Sequence, residues 1–352
     1  MHHLKWIEIN LSAIAENLQS VRRILKPGTK LMGVVKADAY GHGALPVAKL
    51  LEEKGAQALG VLTLEEALPL RKARIKIPLA LLAPCLPSQA EEVVAHGLLP
   101  TVDSWELCEA LSKKAGKPFP VNLDVDFGLG RWGIPFKQLP TFVEKLKKFR
   151  NIRLASLSTH LDYVPGKNPM DAERKIRLFK RLESSLKKSR PHLLCHGANS
   201  SLLIDFPHSQ MDQVRIGNLL YGINPCSRSL PLQNPWQFFA RIISIKDVAK
   251  GKTVGYGSET LAPRRMRVAT LPVGYADGLT MEPAERFIRL GSGFEYWGIL
   301  RGHQAPFVGR CGIAHVLIDV TAVPSARLGD AVSLPIRRTA ANPKIPRLHV
   351  RY

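Results

Sequence analysis

Cysteine is scarce in this sequence and badly placed for cross-linking: Cys85, Cys108, Cys195, Cys226 and Cys311 are an odd number, far apart, with no C-x-x-C pair. That spacing excludes a disulfide framework or a zinc site as the basis of the fold. Long apolar runs are missing too, and no stretch approaches the roughly 18 apolar residues a membrane-spanning helix needs. The N-terminal MHHLKWIEINLSAIAENL lacks the apolar core and small-residue cleavage pattern of a secretory leader, so the expected location is the cytoplasm. Acidic residues are few, with 29 Asp and Glu against 50 Lys and Arg and a net charge of +21. Such a balance permits an anionic partner. The basic residues, however, are scattered (Lys113-Lys114, 145–148, Arg264-Arg265, Arg337-Arg338), and no zinc-finger spacing, RNA-binding aromatic motif or basic-region heptad accompanies them. Nucleic acid is therefore not the expected partner, and nothing in the spacing predicts a metal. Internal repeats and low-complexity tracts are absent as well.

What is present is an ordinary globular composition: 352 residues, 45% of them hydrophobic and 22% charged, enough for two domains or one large barrel with an appendage. Short apolar runs at 30–36, 58–63, 78–83, 98–103, 120–126, 154–160, 193–195 and 213–216 alternate with stretches of helical period such as 104–114 and 169–188. Eight runs of this kind predict an α/β fold, a closed (β/α)8 barrel over 11–228, with an open doubly wound sheet as the alternative. In a barrel, polar residues at the C-terminal strand ends face the active-site mouth. Those ends carry Lys36, Asp126 with Arg131, His160, Asn199 with Ser200, and Arg215. After the Pro-rich stretch 225–235 the texture becomes β-rich and broken by Gly and Pro, which predicts a separate mainly-β domain from 229–352 together with residues 1–10.

The sharpest local signal is VVKADAYGHG at 34–43, where a lysine closes a buried apolar run. Burying an ammonium is costly, so a lysine there is either used or snorkels to solvent. Burial also lowers the amine pKa and makes it nucleophilic, the requirement of a Schiff-base lysine.

This segment resembles the pyridoxal-phosphate lysine motif of alanine racemases, and the resemblance runs in order over roughly residues 5–330: WIEINLSAIAENL, VVKADAYGHG, VDFGLGRWG, STHLDY, HGANSS, VRIGNLLYGINP, VGYGSE, PVGYADG and VGRCG. It implies a barrel with a C-terminal β domain, pyridoxal 5'-phosphate as cofactor, a homodimer with a shared active site, and interconversion of L- and D-alanine to supply peptidoglycan. By resemblance Lys36 bears the cofactor and is one base, and Tyr275, from the partner subunit, is the other. A tyrosine with the ordinary phenol pKa of about 10 needs tuning to act as a base, for which His160 and Arg215 are the neighbours implied. Arg215 would face the pyridine nitrogen, where a permanently protonated guanidinium leaves that nitrogen without its own proton and disfavours transamination. Tyr40, His160, Asn199, Ser200, Gly217 and Asn218 match cofactor-binding positions, and Arg131 with the backbone of Ile313 matches contacts to the substrate carboxylate. Outside the resemblance Tyr275 reads more readily as a packing residue, Arg215 as a rim salt bridge, and Ser200 and Gly217 as turn residues.

Three departures stand out. Where many members have a carbamylated lysine seven residues before the arginine, this chain has Asp124, expected to pair with Arg131 directly or through water. The usual Cys-Met-Asp-Gln is replaced by Gly312-Ile313-Ala314-His315, which puts pocket size and selectivity in question and opens a broader racemase acting on serine or basic amino acids. The C-terminal stretch that carries a phosphate-contacting tyrosine is shortened, and Tyr352 is a poor substitute. A non-catalytic cofactor or anion carrier is the other alternative, since a carrier needs Lys36 without Tyr275.

Overall fold

The computed structural model describes residues 3–258, 260–279 and 296–352. Of the sequence pieces quoted above, Glu259 lies outside them. The chain divides into two units, Leu11–Asn234 and Met1–Asn10 with Pro235–Tyr352.

Strand β1 (Lys5–Asn10) belongs to the second unit, and the chain then builds the first from β2 (Lys30–Val34), β3 (Ala58–Val61), β4 (Leu79–Pro84), β5 (Leu99–Val102), β6 (Phe119–Asp126), the short β7 (Ile134–Pro135), β8 (Ile152–Thr159), β9 (Leu194–His196) and β10 (Gln213–Ile216). These pair in parallel in the order β10-β2-β3-β4-β5-β6-β8-β9, with β7 beside β6. The result is a nearly closed eight-stranded barrel. Across the remaining seam Asp212 N donates to Cys195 O at 3.2 Å and Arg215 N to Ala198 O at 2.9 Å. The strands are nearly continuous apolar runs because helices cover their outer face; all four residues of β3 are buried. The helix Pro169–Lys187 shows the matching pattern, with Pro at its first position and Ala172, Lys175, Ile176 and Phe179 turned inward at helical spacing.

Register matters most between β6 and β8, where Asn122 lies opposite Ser156 and Asp124 opposite Ser158. Successive residues of a strand face alternate sides, so these four side chains share one side and meet inside the barrel. Ser156 Oγ donates to Asn122 Oδ1 at 2.8 Å, Asn122 Nδ2 donates to Ser158 Oγ at 2.8 Å and to Thr101 Oγ1 at 3.0 Å, and Ser158 Oγ donates to Asp124 Oδ1 at 2.5 Å. A polar thread therefore climbs through an otherwise apolar interior toward the C-terminal strand ends.

The second unit is a sheet of β11 (Trp236–Arg241), β12 (Ser244–Val248), β13 (Met266–Leu271), β14 (Trp297–Leu300), β15 (His303–Val308), β16 (Val316–Asp319), β17 (Ala331–Leu334) and β18 (Arg347–Val350) with β1, in the order β12-β13-β16-β15-β14-β17-β11-β1-β18. Only β1 and β18 pair in parallel among the described strands of this sheet. Both ends of the described chain are thus stitched into one sheet. Among the described residues no helix is long and apolar enough to cross a membrane.

Candidate active site

The barrel holds a cavity of about 270 Å³ at the C-terminal ends of its strands. Lys36 follows β2 and reaches it from a backbone that is left-handed at four consecutive non-glycine residues, Ala37, Asp38, Ala39 and Tyr40, with φ between 51° and 56°. Left-handed backbone costs an L-residue about 1–2 kcal/mol, so the surroundings must hold the turn in place. Glu66 does so at the start, accepting from Ala37 N and Leu62 N at 2.7 Å each, while Asp38 Oδ1 accepts from Ala44 N at 2.7 Å at the end. Burial pulls the Lys36 amine below its ordinary value. Arg131 and Arg215 push the same way, and Glu66 opposes them.

Arg215 on β10 is 7% exposed, and its guanidinium donates to His196 Nδ1 at 2.6 Å, His196 O at 3.1 Å and Thr159 O at 2.6 Å. The bond to Nδ1 fixes His196 as a neutral imidazole, in accord with burial and the guanidinium holding it well below its usual value. His160, at the end of β8, is also neutral: burial first, then Arg215, Arg131 and Lys36, lower it to about 3.

Arg131 rides on the glycine loop FGLGRWG, which Asp126 organises by accepting from Gly128 N at 2.8 Å and Leu129 N at 2.9 Å. Its guanidinium carbon stacks 3.6 Å over the Trp132 ring. The expected direct ion pair between Arg131 and Asp124 is not formed. Strand register turns the Asp124 carboxyl toward Ser158, burial raises its pKa, and the two guanidiniums act on it only through space.

The far wall holds Asn199, Ser200, Gly217, Asn218 and Tyr40. A Cβ at Gly217 would lie 2.5 Å from the Tyr40 hydroxyl, so only glycine lets the backbone come this close to that oxygen. Tyr40 is itself stacked on Tyr221, whose hydroxyl donates to Val34 O at 2.8 Å. Asn199 caps the helix Ser200–Asp205 by accepting from Leu202 N at 3.0 Å. Hydroxyls, backbone amides and an excess of cations over one carboxylate make a site for a phosphorylated anion, with a lysine of lowered pKa in reach of the same space. The residues present fit pyridoxal phosphate.

The description "Alanine racemase, N-terminal domain" matches residues 9–225 and "Alanine racemase, C-terminal domain" matches residues 236–347. The chain belongs to the alanine racemase family. This is a family of pyridoxal-phosphate-dependent isomerases. The chain is 36% identical to the alanine racemase of Halothermothrix orenii over 336 residues, covering 94% of this chain and 86% of that one, and 31% identical to that of Methanococcus maripaludis, covering 94% and 89%. Among solved structures, alanine racemase of Clostridium difficile superposes with a TM-score of 0.90 at 25% identity, covering 100% of this chain and 97% of that one. Alanine racemase of Bartonella henselae, described with covalently bound pyridoxal phosphate, gives 0.84 at 25% identity, covering 99% and 100%.

Two racemase positions named from sequence lie in the second unit and not in the cavity. Tyr275 sits on a short turn, 54% exposed, and Ile313 on a neighbouring loop, 61% exposed. Tyr275 N donates to Gly312 O at 3.2 Å and Ala276 N to Ile313 O at 3.0 Å, so the two loops form one platform. His315 closes the Ile313 loop, its O accepting from Gly312 N at 2.9 Å, and its ring lies 5.5 Å from that of Tyr256. Tyr352 points elsewhere, toward Glu8 at 3.4 Å. The sequence reading missed His196, although HGANSS places a histidine at the end of a buried run. It also missed Thr101, Ser158 and Trp132, which line the cavity and announce themselves only through register and loop geometry.

Proposed function

We propose that this chain is an alanine racemase that works with two opposed acid/base groups, Lys36 and Tyr275 of the partner subunit. The observation that carries the reading is the meeting of Lys36, Arg215, Arg131 and neutral His160 in one cavity, the lysine pKa lowered by burial and by cations. Bound at Lys36, pyridoxal phosphate would supply the electron sink that acidifies the substrate Cα–H. Lys36 also holds and returns a proton on one face of that carbon. Ser200, Asn199, Tyr40 and the backbone at Gly217 and Asn218 would hold the cofactor's phosphate. Arg215, braced by His196 and Thr159, would face the ring nitrogen as a permanent donor, leaving that nitrogen without its own proton and so tempering the electron sink and disfavouring transamination. Arg131, flattened against Trp132, presents a fork to the amino-acid carboxylate, aided by the backbone at Ile313.

In this reading the pyridoxal-phosphate-binding domain is residues 11–228 and the β domain is 1–10 with 229–352, the protein is a homodimer, and D-alanine for peptidoglycan is its product. The exposed Tyr275 and Ile313 suit groups offered to a second subunit. Five cysteines without a disulfide among the described residues suit the cytoplasm.

The test separates the two bases. Lys36→Ala is expected to abolish the visible absorbance of the reconstituted protein and to take activity below detection; retention of the band rejects Lys36. Because the enantiomers are equally stable, any variant must change kcat/KM alike in both directions, so net turnover cannot separate the faces. Exchange of the α-proton with heavy water, followed by NMR for each alanine enantiomer separately, can. Tyr275→Phe is expected to suppress exchange from one enantiomer at least 100-fold more than from the other, on the scale of ~10²–10⁴ for a lost general acid or base. Serine and lysine run in parallel read the width of specificity.

A further inference from the structure

The turn that carries Tyr275 is held from both ends of the chain. Lys5, on β1, places its ammonium 2.7 Å from Asp277 Oδ1, while Asp277 Oδ2 accepts from Gly274 N at 3.0 Å. The carboxylate, 7% exposed, thus links a distant cation to the amide that opens the turn. From the C-terminal end Asn342 Nδ2 donates to Ala276 O at 3.0 Å and Asn342 N to Asp277 O at 3.2 Å. Gly278 has φ +95° and lies so close to Ala340 O that no side chain fits there. Below the turn Gly274 packs against the Gly312 and Ile313 carbonyls with the same intolerance. The Tyr275 side chain, by contrast, is 54% exposed. A ring with so little packing takes its position from its own backbone, and a catalytic group must be held within about 0.5 Å to work.

We propose that Lys5 and Asn342 are positioning residues for Tyr275. Lys5 neutralises Asp277 and keeps its second oxygen on Gly274 N; without it the buried carboxylate loses its partner and the turn loses an anchor. Asn342 brings the shortened segment after Val332 into service as a clamp on the opposite side of the same turn. This inference rests on the reading of Tyr275 as the second acid/base.

The experiment measures α-proton exchange for each alanine enantiomer in the reconstituted dimers of Lys5→Met, Lys5→Arg and Asn342→Ala, with Tyr275→Phe as reference. Amide hydrogen exchange over residues 272–279 is measured in the same proteins. Lys5→Met and Asn342→Ala are expected to slow exchange about tenfold from the enantiomer that Tyr275→Phe silences, on the scale of the ~10²-fold for a 1 Å misplacement. The other enantiomer stays within about twofold, Lys5→Arg restores most of the loss, and amides of the turn exchange faster in the two damaging variants. Equal losses from both enantiomers, or no loss, overturn the inference while leaving Tyr275 in its role. Equal losses in Tyr275→Phe overturn the role itself. The two variants reach the turn through different bonds, so one that fails to fold leaves the other to decide.

Discussion

In the barrel, Arg215, His196 and Asp124 are 7%, 2% and 7% exposed, and each has a hydrogen-bond partner on a neighbouring strand or loop; in the β unit, Tyr275 and Ile313 stand 54% and 61% exposed on two adjoining loops. The first arrangement uses burial to set charge. Low dielectric lowers the pKa of Lys36, keeps His160 and His196 neutral, and raises the field of every cation on the cavity. The second uses backbone anchoring to set position, because an exposed side chain takes little of its placement from packing. In the proposed reaction both kinds of control meet on one carbon atom, and the substitutions below separate them.

The largest effect is expected on the charge side. Arg131→Gln removes the fork for the substrate carboxylate and should lower kcat/KM by about 10²–10³. It also removes a cation that lowers the Lys36 pKa, whereas Glu66→Gln removes the anion that raises it. The pH dependence of Lys36 acylation in the cofactor-free protein should therefore move upward in Arg131→Gln and downward in Glu66→Gln. Movement in the same direction would mean that the turn, and not the charges, sets the amine. Glu66→Gln weakens two backbone bonds as well, so it should cost about 2 kcal/mol in urea denaturation.

His160 gives a smaller, pH-dependent effect. The folded chain holds it at about 3, whereas the unfolded chain binds a proton near 6.5. Stability is then complete above the unfolded value and is lost as the pH falls toward the folded one, by up to about 1.4 kcal/mol per pH unit. His196 is depressed too and adds to the same trend. His160→Asn should flatten the fall in urea midpoint between about pH 7 and pH 5; parallel curves for the two proteins would show that His160 is not held neutral.

Much of this was legible in the sequence because parallel barrel strands are buried on both faces and write themselves as short apolar runs. The run read as 58–63 is the strand Ala58–Val61, and the run read as 213–216 is Gln213–Ile216. The run 30–36 overshoots because Lys36 lies beyond β2 (Lys30–Val34), at the start of a left-handed turn. No glycine stands between Ala37 and Tyr40 to announce that turn; it exists because Glu66 and Asp38 hold it. Direct contact between Asp124 and Arg131 is missing for a related reason. Sequence spacing put the two residues seven apart, but side-chain direction is decided by the register of β6 against β8, which spacing does not contain. Lys5 and Asn342 were invisible for the same cause, each acting across hundreds of residues or through a backbone carbonyl.

Asp124 marks the small end of the scale and the cleanest contrast with Lys5. Both are charges next to a proposed functional group, but Lys5 touches its partner at 2.7 Å whereas Asp124 reaches Arg131 only through space. Burial raises the Asp124 pKa and so weakens the charge it can lend that guanidinium. Asp124→Asn, which keeps the shape and the Ser158 contact, should therefore raise KM for alanine about threefold and leave kcat nearly unchanged, well short of the tenfold exchange loss expected of Lys5→Met. If Asp124→Asn instead matched Arg131→Gln, a water or a closed conformation would have to join the carboxylate to the guanidinium during turnover. The barrel half would then be working by direct anchoring after all, as the platform does.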